Sequence, residues 1–341
     1  MARRGEEAKP AWRDVPPVVR DRTAALLGAG VARAERVYGG YAPSATFRLT
    51  LSDGRRAFFK SSYPLPPGSP VEFGVGREVR AYRGLGDTIA PWAPAYLGSF
   101  EAAGWEALLL EDVGPATVPP WTRSKAQAAM RAYGEFHAGT FGRPLPRWLP
   151  RATAWSRFGC TWSRLAAQRD GVPRLAGLAG DRGDEARAWL KRHLASLDAA
   201  GRSFARTRPP YALLHLDTRS DNVRVHPRAS VPLRMFDWPF ACGGPPELDF
   251  VAFAQSVACE GGPHPETLTR WYAGTQPVRE HVLSTSAAAI AGFFAVNAWR
   301  LAPQGLPRLR HVQRRQLRAS LAWAARLLDL PAPDWLDAVS A

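Results

Sequence analysis

The chain is short of cysteine, of lysine and of long apolar runs, and each shortage narrows what it can be. Its three cysteines, Cys160, Cys242 and Cys259, stand far apart with no Cys-x-x-Cys pair. Neither a disulfide framework nor a thiolate zinc site is therefore expected, and all three read as small apolar residues. The first stretch, 1–20, has no apolar core of signal-peptide length and reads as a polar leader. The most apolar long stretch, 281–299, is interrupted by Ser284, Thr285, Ser286 and Asn297. It suits a buried helix better than a bilayer span, so a cytoplasmic protein without membrane contact is expected.

Only four of the 45 basic residues are lysine (Lys9, Lys60, Lys125 and Lys191), so arginine carries most of the formal net charge of +15. Residues 1–110 hold +4 of it and residues 111–341 hold +11. Between Arg300 and Arg326 lie seven arginines and no acid, and Arg310, Arg314 and Arg318 share one helix face. A polyanion-binding stripe is one reading. No aromatic or glycine-rich nucleic-acid module accompanies it, so a solvated face is expected and nucleic acid is not an expected partner.

At 341 residues, with 46% apolar and 22% charged residues, the chain can bury two separate cores. A short helix at 22–27 should stop at Gly28 and Gly30. Strands are expected at 34–37, 45–51 and 56–60, the last two joined by the hairpin signal Asp53-Gly54. A helix at 75–85 presents Val75, Val79 and Tyr82 on one face, and strands follow at 95–99 and 107–110. Beyond 111–114 the pattern turns helical: 124–138, 184–197, 246–259, 265–273, 278–300 and 309–328, around one strand–loop–strand unit at 213–237. The expected class is α+β, with a leader at 1–20, a β-rich lobe at 21–110, a hinge at 111–114 and a mostly helical lobe at 115–341.

The chemistry-bearing residues crowd into 211–238, YALLHLDTRSDNVRVHPRASVPLRMFDW. A buried strand ends in His215-Leu216-Asp217, Asn222 follows five residues after Asp217, and a hairpin returns through Phe236 to Asp237. His-x-Asp-x-x-x-x-Asn followed by an apolar strand ending in Asp resembles the catalytic core of the protein-kinase-like fold. In detail it resembles the aminoglycoside phosphotransferase and choline kinase branch, over roughly residues 30–300. That resemblance implies a two-lobed fold and a small-molecule kinase. The donor would be ATP, with GTP as the alternative, the metal Mg²⁺, and the acceptor a hydroxyl of an antibiotic such as an aminoglycoside or of a metabolite.

The same resemblance assigns roles. Asp217 is the catalytic carboxylate beside the acceptor hydroxyl, and Asn222 and Asp237 are hard oxygen ligands suited to Mg²⁺. His215 and Asp249 support the catalytic loop, Asp249 from the first turn of a helix after a Gly243-Gly244-Pro245 turn. Lys60, fixed by Glu78, holds nucleotide phosphates; Ser44, in the turn 38–45, and the hinge backbone at Glu111 and Val113 complete the nucleotide site. His137 is expected to be a packing residue.

Some positions depart from the family pattern. Leu216 stands where glycine is usual between His and Asp, Trp238-Pro239 stands where protein kinases carry Phe-Gly, and no Ala-Pro-Glu segment is present. About 100 residues between hinge and catalytic loop leave room for a helical substrate-binding insertion. Polycationic aminoglycosides prefer acidic pockets, and the +11 of the helical lobe weighs against them unless Glu247 and Glu260 form a local acidic patch. Trp121, Trp148, Trp155 and Trp162 either line a pocket for a ring or pack the core. Two rival readings are an inactive nucleotide-binding scaffold, disfavoured by the full set of Lys60, Glu78, Asp217, Asn222 and Asp237, and an arginine-rich nucleic-acid-associated protein.

Overall fold

The computed structural model describes residues 9–38, 44–65, 74–303, 306 and 308–340. The turn expected at 39–43 and the prolines Pro66, Pro67 and Pro70 lie outside the described residues. The chain divides into two units. Unit 1 is Met1–Ala116 with Arg234–Phe240 and Ala302–Leu309; unit 2 is Thr117–Leu233 with Ala241–Leu301 and Arg310–Ala341.

In unit 1, helix α1 (Pro17–Leu27) begins with proline at its first turn, where the missing N–H is no loss, and ends on Gly28 in the left-handed region at φ 68°. Five strands follow: β1 (Val31–Arg36), β2 (Ala45–Leu51), β3 (Arg56–Ser62), β4 (Tyr96–Ala102) and β5 (Trp105–Glu111). They pair antiparallel in the order β1-β2-β3-β5-β4, with helix α2 (Gly76–Ile89) between β3 and β4 in sequence. Alternation sends Phe47, Leu49, Phe59 and Leu109 to one face, where they join Val15, Val19 and Leu27 in a core. Burying each large apolar side chain contributes about 2 kcal/mol. β3 is the middle strand, and Lys60 sits in its register between Thr46 and Leu108.

Unit 2 is mainly helical. Helix α3 (Arg123–Thr140) is capped by Thr122, whose hydroxyl accepts the Lys125 N–H. Three short helices, α4 (Ser156–Gly159), α5 (Thr161–Ala167) and α6 (Gly171–Gly177), precede the long α7 (Gly183–Ala205). Strands β6 (Ala212–Leu214) and β7 (Val223–Val225) flank the His215–Asn222 loop, and β8 (Leu233–Met235) carries the chain back into unit 1. Strand β9 (Cys242–Gly244) pairs antiparallel with β6. Helices α8 (Pro246–Cys259), α9 (Pro265–Ala273), α10 (Glu280–Asn297) and α11 (Leu309–Leu327) complete the unit. Trp121 and Trp162 are buried in it rather than lining an open pocket. No helix among the described residues is long and apolar enough to cross a membrane.

Two expectations need correction. Gly243-Gly244 is part of a strand, not a turn. A Cβ on Gly244 would lie 2.8 Å from Leu214 Cδ1 and 2.9 Å from Ala152 Cβ, so glycine is present because neighbours approach closely. The arginine face is not idle either. Arg314 donates to Ala298 O, Arg310 to Leu301 O and Arg315 to Cys259 O, capping chain ends after α10 and α8. Arg318 pairs with Asp337 and Arg326 with Glu266.

Candidate active site

The unit 1 cluster centres on Lys60. Its Nζ donates to Glu78 Oε2 at 2.7 Å and to Asp237 Oδ1 at 2.6 Å, and the Asp237 N–H donates to Glu78 Oε1 at 3.1 Å. The three residues come from β3, from α2 and from the turn after β8, yet they close into one triangle. Burial works against the Lys60 charge, but attraction to Asp237 and then Glu78 outweighs it, so its pKa lies above the ordinary 10.5. For Glu78 burial wins over the attraction of Lys60, and its carboxyl is pushed up. Asp237 adopts φ 70°, a left-handed conformation that aspartate tolerates better than most side chains. Trp238 is buried just after it, with Nε1 donating to Met235 O at 3.0 Å.

The other unit 1 positions are less committed. Ser44 is buried immediately before β2. Glu111 ends β5; its N–H donates to Ala95 O, and its carboxylate accepts from the Ala95 N–H and from Arg234 at 2.6 Å. Its own N–H is thus engaged, whereas Val113 lies beyond the strand. Asp112 pairs with Arg48 at 3.3 Å and Arg56 at 2.9 Å and accepts the Gly114 N–H, which ties 112–114 to the sheet.

In unit 2, β6 delivers the His-x-Asp segment onto Asp249, in the first turn of α8. Asp249 Oδ2 accepts the His215 N–H at 2.6 Å and faces His137 Nε2 at 3.2 Å; Oδ1 accepts the Leu216 N–H at 2.8 Å. Burial would raise the Asp249 pKa, but the hydrogen bond and charge of His137 lead the opposing effects, and the net shift is downward. His137 is fully buried against the rings of Tyr133, Phe136 and Tyr272, as expected of a packing residue, and it also meets Tyr272 Oη at 2.7 Å. His215 Nδ1 accepts the Asp217 N–H at 3.2 Å. Asn222 Nδ2 donates to Asp217 O at 2.8 Å and to Asp217 Oδ2 at 3.0 Å.

Sequence reasoning missed several participants. Arg219 Nε lies 3.1 Å from Asp217 Oδ1, and its Nη2 lies 3.4 Å from Asp221. The signal was a cation two residues past Asp217, inside the motif. Glu260, just past α8, accepts from Ser220 Oγ at 2.6 Å and from Trp121 Nε1 at 2.7 Å, clamping the loop. Glu247 is buried against Arg279 in a two-pronged pair at 2.8 Å. Both candidate acids are therefore engaged internally and do not form an open acidic patch.

A five-stranded antiparallel sheet unit bearing a lysine–glutamate pair, together with a helical unit holding an Asp-x-x-x-x-Asn loop, is the protein-kinase-like fold in its small-molecule branch. The model of the phosphotransferase enzyme family matches residues 33–281, and the chain belongs to that family. With it, the chain is a small-molecule kinase that phosphorylates hydroxyl groups. Among solved structures it is similar to a spectinomycin phosphotransferase in complex with ADP and spectinomycin, at TM-score 0.58 and 13% identity, covering 90% of this chain and 99% of that one. It is also similar to a choline/ethanolamine kinase family protein from Mesorhizobium loti, at TM-score 0.57 and 18% identity over 94% and 98% of the two chains. A choline kinase from Streptococcus pneumoniae gives TM-score 0.55 and 12% identity over 92% and 98%. No curated protein matches the sequence.

Proposed function

We propose that the chain moves the γ-phosphoryl group of ATP, or alternatively GTP, onto a hydroxyl of a small molecule. The observation that carries this is the Lys60 triangle: residues 18 and 177 positions apart in sequence converge on one buried ammonium. Phosphoryl transfer needs positioning and charge neutralisation more than covalent chemistry, and a fixed cation among carboxylates suits the donor end of it. In this reading Lys60, oriented by Glu78, holds nucleotide phosphates, and Ser44 and the backbone near Glu111 and Val113 hold the rest of the nucleotide. Asp217 accepts the hydroxyl proton, with Asn222 fixing the carboxylate and Arg219 available to neutralise charge on the transferring group. His215 and Asp249 keep the loop in place.

The donor chemistry suits a hard divalent cation: the Asp237 carboxylate is partly exposed, and the Asn222 amide supplies a neutral oxygen. Mg²⁺ bound by these two residues and by the nucleotide would neutralise phosphate charge. With Glu247 and Glu260 engaged, an acceptor of low positive charge, such as a neutral sugar-like or amino-alcohol metabolite, is favoured over a polycationic antibiotic. A cytoplasmic location, where ATP is available, goes with this reading.

The test is an ADP-release assay over a panel of antibiotics, sugars and amino alcohols. Asp217→Asn should lower kcat by about 10²–10⁴-fold while nucleotide affinity changes less than about threefold. Near-normal turnover in that variant would remove Asp217 from the role of base.

A further inference from the structure

A cavity of about 570 Å³ opens in unit 2, and none of Lys60, Glu78, Asp217, Asn222, Asp237 and Asp249 is among its lining residues. Three guanidinium groups, Arg143, Arg147 and Arg151, share its lining with Leu145, Leu149 and Tyr211. No acidic residue lines it. The lining segments 142–151 and 209–211 contain these three arginines and no acid. Arg143, Arg147 and Arg151 are exposed, and their side chains make no hydrogen bond or ion pair among the described residues. This contrasts with Arg315, Arg318 and Arg326 near α11, which are each engaged by a carbonyl or a carboxylate.

The walls are fixed in place. The Gly142 N–H donates to Tyr211 O, the Gly243 N–H donates to Pro150 O, and Arg151 bridges Gly243 in parallel fashion. Pro144, Pro146, Pro150, Pro209 and Pro210 stiffen the same segments. A preformed, largely apolar hollow rimmed by forked cations is built for a ligand that carries negative charge on a compact body.

We propose that this cavity binds a small molecule carrying two or more anionic groups, phosphate or carboxylate, which Arg143, Arg147 and Arg151 grip at its rim. Guanidinium groups match both anions in two-pronged geometry. The volume suits a molecule of roughly sugar-phosphate to nucleotide size.

Calorimetric titration of the full chain with inorganic pyrophosphate and, separately, with citrate tests it. Replacing all three residues (Arg143→Gln, Arg147→Gln, Arg151→Gln) should weaken binding of at least one probe by about tenfold or more. Arg147→Glu alone should weaken it more than Arg147→Gln. A control triple outside the cavity, Arg164→Gln with Arg169→Gln and Arg192→Gln, should change affinity less than about twofold. Whichever probe binds tighter identifies phosphate or carboxylate as the source chemistry. The proposal is overturned if neither probe binds, if the cavity triple binds like the wild type with its melting temperature unchanged, or if the control triple loses as much. It is equally overturned if only Lys60→Met abolishes binding, since pyrophosphate would then be occupying the Lys60 cluster.

Discussion

Glu78 in unit 1 and Asp249 in unit 2 are both fully buried carboxyl groups, and burial pushes each toward its protonated form. The outcomes are opposite. Asp249 is served by two backbone N–H groups and a histidine, and its pKa falls below the ordinary value. Glu78 shares one ammonium with a second carboxylate, Asp237, and its pKa rises. One carboxylate has all the donors it needs; the other sits in a cluster with more acid than base. A saturated carboxylate is a structural brace, whereas a cluster left short of positive charge is where an added cation would gain most.

The largest effect expected from this contrast separates stability from activity. Asp249→Ala should cost about 3–5 kcal/mol in urea-melt stability, because three donors lose their acceptor inside the core. Asp237→Ala should change stability by less than about 1 kcal/mol, since Lys60 keeps Glu78, yet should lower MgATP affinity or kcat by roughly 10²-fold or more. Equal stability losses in the two variants would break the distinction between brace and binding cluster.

A double-mutant cycle sharpens the unit 1 side. Lys60→Met and Glu78→Gln each remove one end of a 2.7 Å contact, so each should impair kcat/KM, the lysine change more strongly. The double variant should cost about 1–3 kcal/mol less than the sum. Additive losses would mean that the contact does not hold Lys60 for its task.

Opposite pKa shifts also predict opposite pH slopes. Folded Asp249 binds its proton less tightly than the unfolded chain does, so its contribution is full above about 3.8 and is lost as pH falls through the lower folded value. Folded Glu78 binds its proton more tightly, so stability is lost as pH rises above about 4.5. Compared with Asp249→Asn, the wild type should lose its advantage on acidification below pH 4. Compared with Glu78→Gln, it should lose ground as pH rises from 4.5. Difference curves of the same sign, from urea midpoints at pH 3–7, would refute the assignment of causes.

Much of this was legible in the sequence because local chemistry dictates it. The Asp53-Gly54 turn fixes the β2–β3 register, and apolar alternation through 45–51 and 56–60 defines the core face. Gly28 marks the end of α1 and proline starts mark α8 and α9, whereas α1 begins at Pro17, inside the stretch expected to be a leader. What stayed hidden depends on contacts between distant segments. Nothing near Glu260 in sequence indicates that it holds Ser220, forty residues away, and nothing near His137 indicates Asp249. The short helices α4, α5 and α6 span too few turns for a periodic pattern to stand out. Gly243 and Gly244 look like a turn until the packing of Leu214 and Ala152 shows why a strand needs them.

The smallest expected effect concerns the one motif position that departs from the family pattern between His215 and Asp217. Leu216 adopts φ 59°, where a side chain clashes with the following carbonyl and glycine does not. Its N–H is held by Asp249 Oδ1, so the brace in unit 2 also pins a strained residue next to Asp217, the carboxylate proposed as the base. Leu216→Gly removes the clash, worth about 1–2 kcal/mol, but also gives up a half-buried side chain and gains backbone entropy in the unfolded chain. The balance should be a stability change of about 1 kcal/mol or less, with kcat within about threefold of wild type because the Asp249 hydrogen bonds remain. Leu216→Val should be worse than either, since branching at Cβ crowds the left-handed conformation further. If Leu216→Val instead matched the wild type in thermal melts and turnover, the left-handed backbone at 216 would not be what positions Asp217, and the comparison between the two buried carboxylates would lose its link to catalysis.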